Sequence, residues 1–147
     1  MRRAGWPVAI AFLAGGCVAP APTTSAYESK AAMTAEAAVS EARTALLATD
    51  TYLHGGLTGP YLESLLVDAE EAIGSVRATF DSVQPPETDA ADALRATLDP
   101  LLEDAGSGLT DLRIAARRDL RDDLRTTADE LGATTDDLEA FGDEHAS

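Results

Sequence analysis

Residues 60–83 read PYLESLLVDAEEAIGSVRATFDSV and carry the most regular apolar pattern in the chain. Apolar side chains recur there at alternating intervals of three and four residues, at Leu62, Leu66, Ala69, Ile73, Val76, Phe80 and Val83. Such spacing places them on one face of an α-helix. Pro60 suits the first turn, where no amide hydrogen is needed, and Pro85-Pro86 predicts the end. The stretch therefore predicts one long amphipathic helix.

Three other stretches repeat this pattern. The first carries Ala32, Ala35, Val39, Ala42, Leu46, Thr49 and Leu53; the third carries Leu94, Leu98, Leu101, Ala105, Leu109, Leu112 and Ala116; the last carries Leu120, Leu124, Leu131, Leu138 and Phe141. Ser25 and Glu28 have the spacing of a capping box, which predicts that the first helix begins there. Because short connections make neighbouring helices antiparallel, the sequence predicts an all-α, up-down-up-down four-helix bundle over residues 26–147.

Two positions compete for the boundary between the third and fourth helices. Gly106-Ser107-Gly108 is a strong helix-breaking signal, whereas Arg117-Arg118-Asp119 contains neither glycine nor proline. A break at Asp119 gives four helices of about 25 to 30 residues, and bundle helices should match in length. We therefore favour Asp119, which would act as the N-cap of the fourth helix. Pro100 then lies inside the third helix and predicts a kink.

The amino-acid composition argues against some classes of partner and site. The chain has 147 residues, of which 45% are hydrophobic but only 5% aromatic, and 26 acidic residues stand against 11 Lys and Arg. A formal charge of -15 argues against nucleic acid as a partner, because phosphate binding needs a concentrated positive field. The single cysteine excludes an intrachain disulfide.

The amino-terminal stretch has the pattern of a secretory signal. Arg2 and Arg3 form a positive start, and the apolar run over residues 8–14 is too short to span a bilayer. Residues 13–17, Leu-Ala-Gly-Gly-Cys, resemble a bacterial lipobox, whose cysteine receives a lipid and becomes the mature amino terminus. We predict a signal peptide over residues 1–16, a lipidated Cys17 and a flexible tether over residues 17–25. An ordinary cysteine in a secretory signal and a free thiol are the alternatives.

If Cys17 is lipidated, the membrane is both the location of the protein and one of its partners. More than one acyl chain on a single residue gives stable membrane attachment. We therefore expect a protein anchored to the cell membrane through its N-terminal lipid, on the extracytoplasmic face.

Residue types that carry chemistry are scarce. Neither His54 nor His145 follows a glutamate by three positions, as a ferritin-like metal site requires, and one cysteine cannot attach haem covalently. Asp50 and His54 stand four residues apart, but two ligands do not close a metal site. No Gly-x-Ser-x-Gly turn and no phosphate-binding loop occur. We predict a protein that is not an enzyme and holds no metal and no cofactor.

Arginines form the one concentration of positive charge. Residues 113–125 contain Arg113, Arg117, Arg118, Arg121 and Arg125. One interpretation is an exposed stretch in ion pairs with Asp111, Asp119, Asp122 and Asp123. The other is an anion-binding site of Arg113, Arg117, Arg118 and Arg121 with His54, since the bundle topology brings the turn after the first helix, with Tyr52, His54 and Tyr61, to the arginines. Carboxylate or phosphate groups would be its ligands.

Three stretches carry a family resemblance. Residues 27–32, 80–86 and 112–118 read YESKAA, FDSVQPP and LRIAARR, and they resemble uncharacterised small actinobacterial lipoproteins. That resemblance implies an envelope lipoprotein with a helical domain and no assigned activity. We expect a non-catalytic binding or interaction module with an envelope protein or polymer as partner. A small-molecule or metal-binding bundle that assists transport or sensing is the alternative.

Overall fold

Four helices make up the part of the chain that the computed structural model describes, residues 23–146. They are α1 (Thr24–Leu53), α2 (Gly59–Asp81), α3 (Asp89–Arg117) and α4 (Arg121–His145), and no strand occurs within these residues. The all-α, up-down-up-down four-helix bundle is confirmed. The predicted signal peptide, Cys17 and residues 18–22 of the predicted tether lie outside the described residues.

The first helix begins earlier than predicted. The Thr23 hydroxyl oxygen accepts a hydrogen bond from the Ala26 amide at 3.1 Å, so Thr23 is the N-cap and α1 starts at Thr24. The prediction of a start at Ser25 is wrong because a threonine two residues upstream supplies the same kind of cap. Thr88 caps α3 in the same way, with its hydroxyl 3.3 Å from the Ala91 amide.

The boundary between α3 and α4 falls at the Arg-Arg-Asp sequence, as favoured. Gly106 and Gly108 lie inside α3, where Gly108 packs against Leu131 of α4. A Cβ atom at residue 108 would come within 3.3 Å of a Leu131 methyl carbon, so the glycine serves close packing. The prediction that Asp119 is the N-cap of α4 is wrong, because Leu120 occupies that position without a side-chain cap.

Alanines from α1 and leucines from the other helices form the core. Ala31, Ala35, Ala38, Ala42 and Ala45 of α1 are each fully buried. Because alanine is short, α1 approaches its diagonal neighbour α3, whereas no Cα atom of α2 comes within 8 Å of one of α4. In α3, Leu102 is buried in place of the predicted Leu101, and the helix continues through Pro100. The cross-section is therefore a rhombus with α1 and α3 on its short diagonal.

Within residues 23–146, no helix is both long enough and apolar enough to cross a membrane.

Candidate functional site at the turn end

Two connections lie together at one end of the bundle. Residues 54–58 join α1 to α2, residues 118–120 join α3 to α4, and the up-down-up-down order puts both at the end remote from Thr23. We call this region the turn end. The sequence predicted this juxtaposition from topology alone, and the structure confirms it for Tyr52 and Arg121, which are in contact.

Both connections leave their helix through the same backbone motif. In the first, the Gly56 amide donates to the Thr51 carbonyl at 2.8 Å, and Gly55 has a φ of +82°. In the second, the Leu120 amide donates to the Ala115 carbonyl at 3.0 Å, and Asp119 has a φ of +50°. A left-handed residue followed by such a bond is the Schellman ending of a helix, and it usually requires glycine. Asp119 therefore holds a conformation that needs support from its surroundings.

Tyr52 supplies that support from α1. Its hydroxyl donates a hydrogen bond of 2.6 Å to an Asp119 carboxylate oxygen, and its ring is largely buried. The bond to Asp119 raises the pKa of the Tyr52 hydroxyl, and burial adds to the effect. The two turns are thus joined by a side chain from one and a carboxylate from the other.

Arg121 completes this connection. Its guanidinium carbon lies 5.0 Å from the centre of the Tyr52 ring, within cation–π range. Its Nη1 donates to the Leu53 carbonyl at 3.2 Å, and its Nε lies 3.7 Å from Asp119. Because the ring and the carbonyl hold the side chain, the guanidinium of Arg121 is oriented before any ligand arrives.

Arg113 and Arg117 face a different part of the bundle. The Arg113 Nε donates to a Glu70 carboxylate oxygen at 2.7 Å, and the Arg117 Nε donates to Glu63 at the same distance. The hydrogen bond from Arg113 lowers the pKa of Glu70, although burial opposes it. These two arginines, expected in an anion site, are paired with glutamates of α2.

Their partners belong to a row of ion pairs along the contact between α2 and α3. Arg77 of α2 lies 3.4 Å from Glu103, and Arg95 of α3 lies 3.3 Å from Asp81. The sequence suggested aspartates as partners of these arginines, whereas the structure pairs them with Glu63 and Glu70. Their spacing of seven residues, continued by Arg77, was the available signal, because it places all three on one helix edge.

Arg118, Arg121, Arg125 and His54 remain at the turn end. Arg118 is exposed and contacts no acidic side chain among residues 23–146. Arg125 pairs with Asp122 at 2.9 Å, and Arg121 lies near Asp119. Two of the four predicted aspartates are therefore ion-pair partners of these arginines. The five arginines therefore divide between the α2–α3 contact and the turn end.

His54 sits where α1 ends. Its Nδ1 lies 2.8 Å from the Asp50 carbonyl oxygen and 3.3 Å from the Asp50 carboxylate, and its side chain is exposed. Together with Arg125 it lines a shallow groove of about 280 Å³ between α1 and α4, which Asp50 and Asp129 also border. Within the described ranges, no three His, Asp or Glu side chains converge as metal ligands.

Comparison with family models, with curated proteins and with solved structures finds no match to this chain.

Proposed function

We propose that the protein is a lipid-anchored, extracytoplasmic binding module without catalytic activity, and that its turn end binds carboxylate or phosphate groups. The amino-terminal signal pattern and Cys17 support the anchor. An acidic envelope polymer or an acidic face of a partner protein would carry the ligand groups. Arginine side chains alone would donate the hydrogen bonds that bind these carboxylate or phosphate groups.

Two arginines at the turn end support the binding proposal, because one lacks an ion-pair partner and the other is held in a fixed orientation. Arg118 has no ion-pair partner in the described part of the chain, and Arg121 is held against Tyr52 with its side chain about half exposed. An arginine that is already oriented loses less side-chain entropy when it binds a carboxylate or phosphate. The pair can present donors on one outward-facing turn.

The distribution of charge also supports the turn end as the place where anions bind. After removal of the signal peptide the chain would carry nine basic residues against 26 acidic ones. Three of the nine, Arg118, Arg121 and Arg125, fall within eight residues at the turn end. An anion that approaches this acidic protein meets the least repulsion there.

Paired variants test the binding proposal. The purified full chain is titrated with polyphosphate and with polyglutamate, as wild type, R118Q/R121Q and R43Q/R77Q. The last variant removes the same charge from two arginines away from the turn end. We expect R118Q/R121Q to weaken binding of at least one polymer by about thirtyfold, because two lost arginine–anion contacts of about 1 kcal/mol each sum to about 2 kcal/mol. Equal affinities for the two variants would contradict the proposal.

The anchor has its own test. We expect C17S to abolish lipid attachment, so that the chain stays unprocessed or is released from the membrane. Unchanged processing and unchanged membrane retention in the variant would refute lipidation at Cys17, and the binding result would stand apart from that outcome.

A further inference from the structure

One helix of the bundle turns to solvent a face that carries a single charged residue. Residues at alternating intervals of three and four run along the outside of α1, and we call them the outer stripe: Lys30, Met33, Ala37, Ser40, Thr44, Leu47 and Thr51. The outer stripe contains no acidic residue. By contrast, α4 has 11 charged residues among 25, whereas all of α1 has six among 30. This face of the molecule is built differently from the rest of its acidic surface.

The outer stripe contains large apolar side chains that are exposed to solvent. Met33 and Leu47 are 67% and 68% exposed, the highest values among the large hydrophobic residues of the described chain. The Thr44 and Thr51 hydroxyls donate to the Ser40 and Leu47 carbonyls at 2.9 and 2.7 Å. Because these hydroxyls already have partners on their own helix, covering the outer stripe leaves no threonine hydroxyl unsatisfied.

A depression accompanies each exposed apolar side chain. Beside Leu47, a groove of about 510 Å³ between α1 and α4 has Val39 and Leu138 among its lining residues. Beside Met33, a smaller one of about 190 Å³ between α1 and α2 is lined in part by Phe80 and Val83. Glu36, Arg43, Glu139 and Asp143 also line the larger groove, so the surface offers two protruding apolar side chains, each beside a depression of mixed apolar and polar lining.

Their positions are symmetric about Ser40. Met33 and Leu47 each lie seven residues from it, and Lys30 and Asp50 each lie ten residues from it. If two copies of α1 cross antiparallel at Ser40, Met33 of one copy meets Leu47 of the other, beside the larger groove. Lys30 of one copy then comes level with Asp50 of the other, on the opposite flank of the contact, so that opposite charges come near each other twice. A parallel pairing would instead place Lys30 on Lys30 and Asp50 on Asp50.

We propose that the outer stripe binds a second copy of this chain, through an antiparallel two-fold contact centred on Ser40. The small side chains of Ala37, Ser40 and Thr44 let the two helices approach closely. Charge complementarity favours the antiparallel arrangement over the parallel one. The two anchors then lie at opposite ends of the pair, so that membrane-bound copies lie along the membrane surface.

Site-specific photo-crosslinking of the full chain in its membrane tests the contact. A photoreactive amino acid is placed at residue 47, and at the exposed Ile114 of α3 as a matched control. We expect a product of twice the chain mass from residue 47 and none from residue 114. Equal products from both positions would overturn the proposal, as would a product from residue 47 that contains a different protein.

A charge exchange tests the orientation. K30D and D50K each convert two attractive contacts into repulsive ones, and we expect each to raise the dissociation constant of the pair about fivefold. The double variant K30D/D50K restores opposite charges and should return the constant to within about twofold of wild type. Failure of the double variant to restore association, with the melting temperature unchanged, would overturn the antiparallel pairing.

Discussion

Removing the Tyr52 hydroxyl should loosen the connection between the two turns without disturbing the core. In Y52F the ring stays buried, but the 2.6 Å hydrogen bond to Asp119 is lost. A hydrogen bond to a charged group contributes about 1.5 to 3 kcal/mol. Because the Asp119 side chain is 70% exposed, water replaces part of that contribution, and we expect a loss of about 1 kcal/mol.

Urea unfolding of the purified chain, followed by far-ultraviolet circular dichroism, measures this loss. With a denaturant dependence of about 2 kcal/mol per molar urea, a loss of 1 kcal/mol lowers the midpoint by about 0.5 M. Y61F is the matched control, because Tyr61 lies in the first turn of α2 with its side chain exposed. We expect its midpoint to equal that of the wild type.

A double-mutant cycle separates the hydrogen bond from other effects of the substitution. D119A should lose the bond and add a penalty of about 1 kcal/mol for alanine at positive φ. In the D119A background, Y52F should then change the midpoint very little. If Y52F lowers the midpoint by the same amount in both backgrounds, or does not lower it at all, the connection between the turns does not exist as described.

Three further outcomes follow from the structure. E70Q should lower the free energy of unfolding by about 1 kcal/mol at neutral pH, because it weakens the hydrogen bond from Arg113. Since Arg113 lowers the pKa of Glu70, this difference from wild type should shrink as the pH falls below about 4.5. Urea midpoints at several pH values measure it. Y27F should raise the unfolding midpoint, since that hydroxyl is buried without a partner among residues 23–146; a lower midpoint would reveal an unseen partner. G108V should lower the melting temperature through its clash with Leu131, and an unchanged value would contradict the close packing there.

Apolar periodicity was enough to predict the helices. Leu62, Leu66 and Ile73 repeat at helical spacing, and all three are buried as predicted. Matching helix lengths were enough to prefer a break at Asp119 over one at Gly106. These features depend on local pattern and on simple geometry, which a single sequence carries.

Contacts between helices were harder to predict. The sequence offers nearby aspartates as partners for Arg113 and Arg117. Their actual partners, Glu70 and Glu63, are more than 40 positions away and reach the arginines only when α2 and α3 pack together. The left-handed conformation of Asp119 was also missed, because aspartate rarely ends a helix in the position where glycine is usual. The Tyr52 hydroxyl that donates to its carboxylate comes from another helix and reaches it only through tertiary structure.

The binding of anions at the turn end is tested most directly by a nuclear magnetic resonance titration. The ¹⁵N-labelled full chain is titrated with inorganic phosphate, and backbone amide shifts are followed by residue. We expect saturable shifts at residues 53–55 and 118–121, with none along the outer stripe of α1 and none in R118Q/R121Q. Shifts spread evenly over the surface, or shifts at the turn end that persist in the double variant, would contradict an arginine site there.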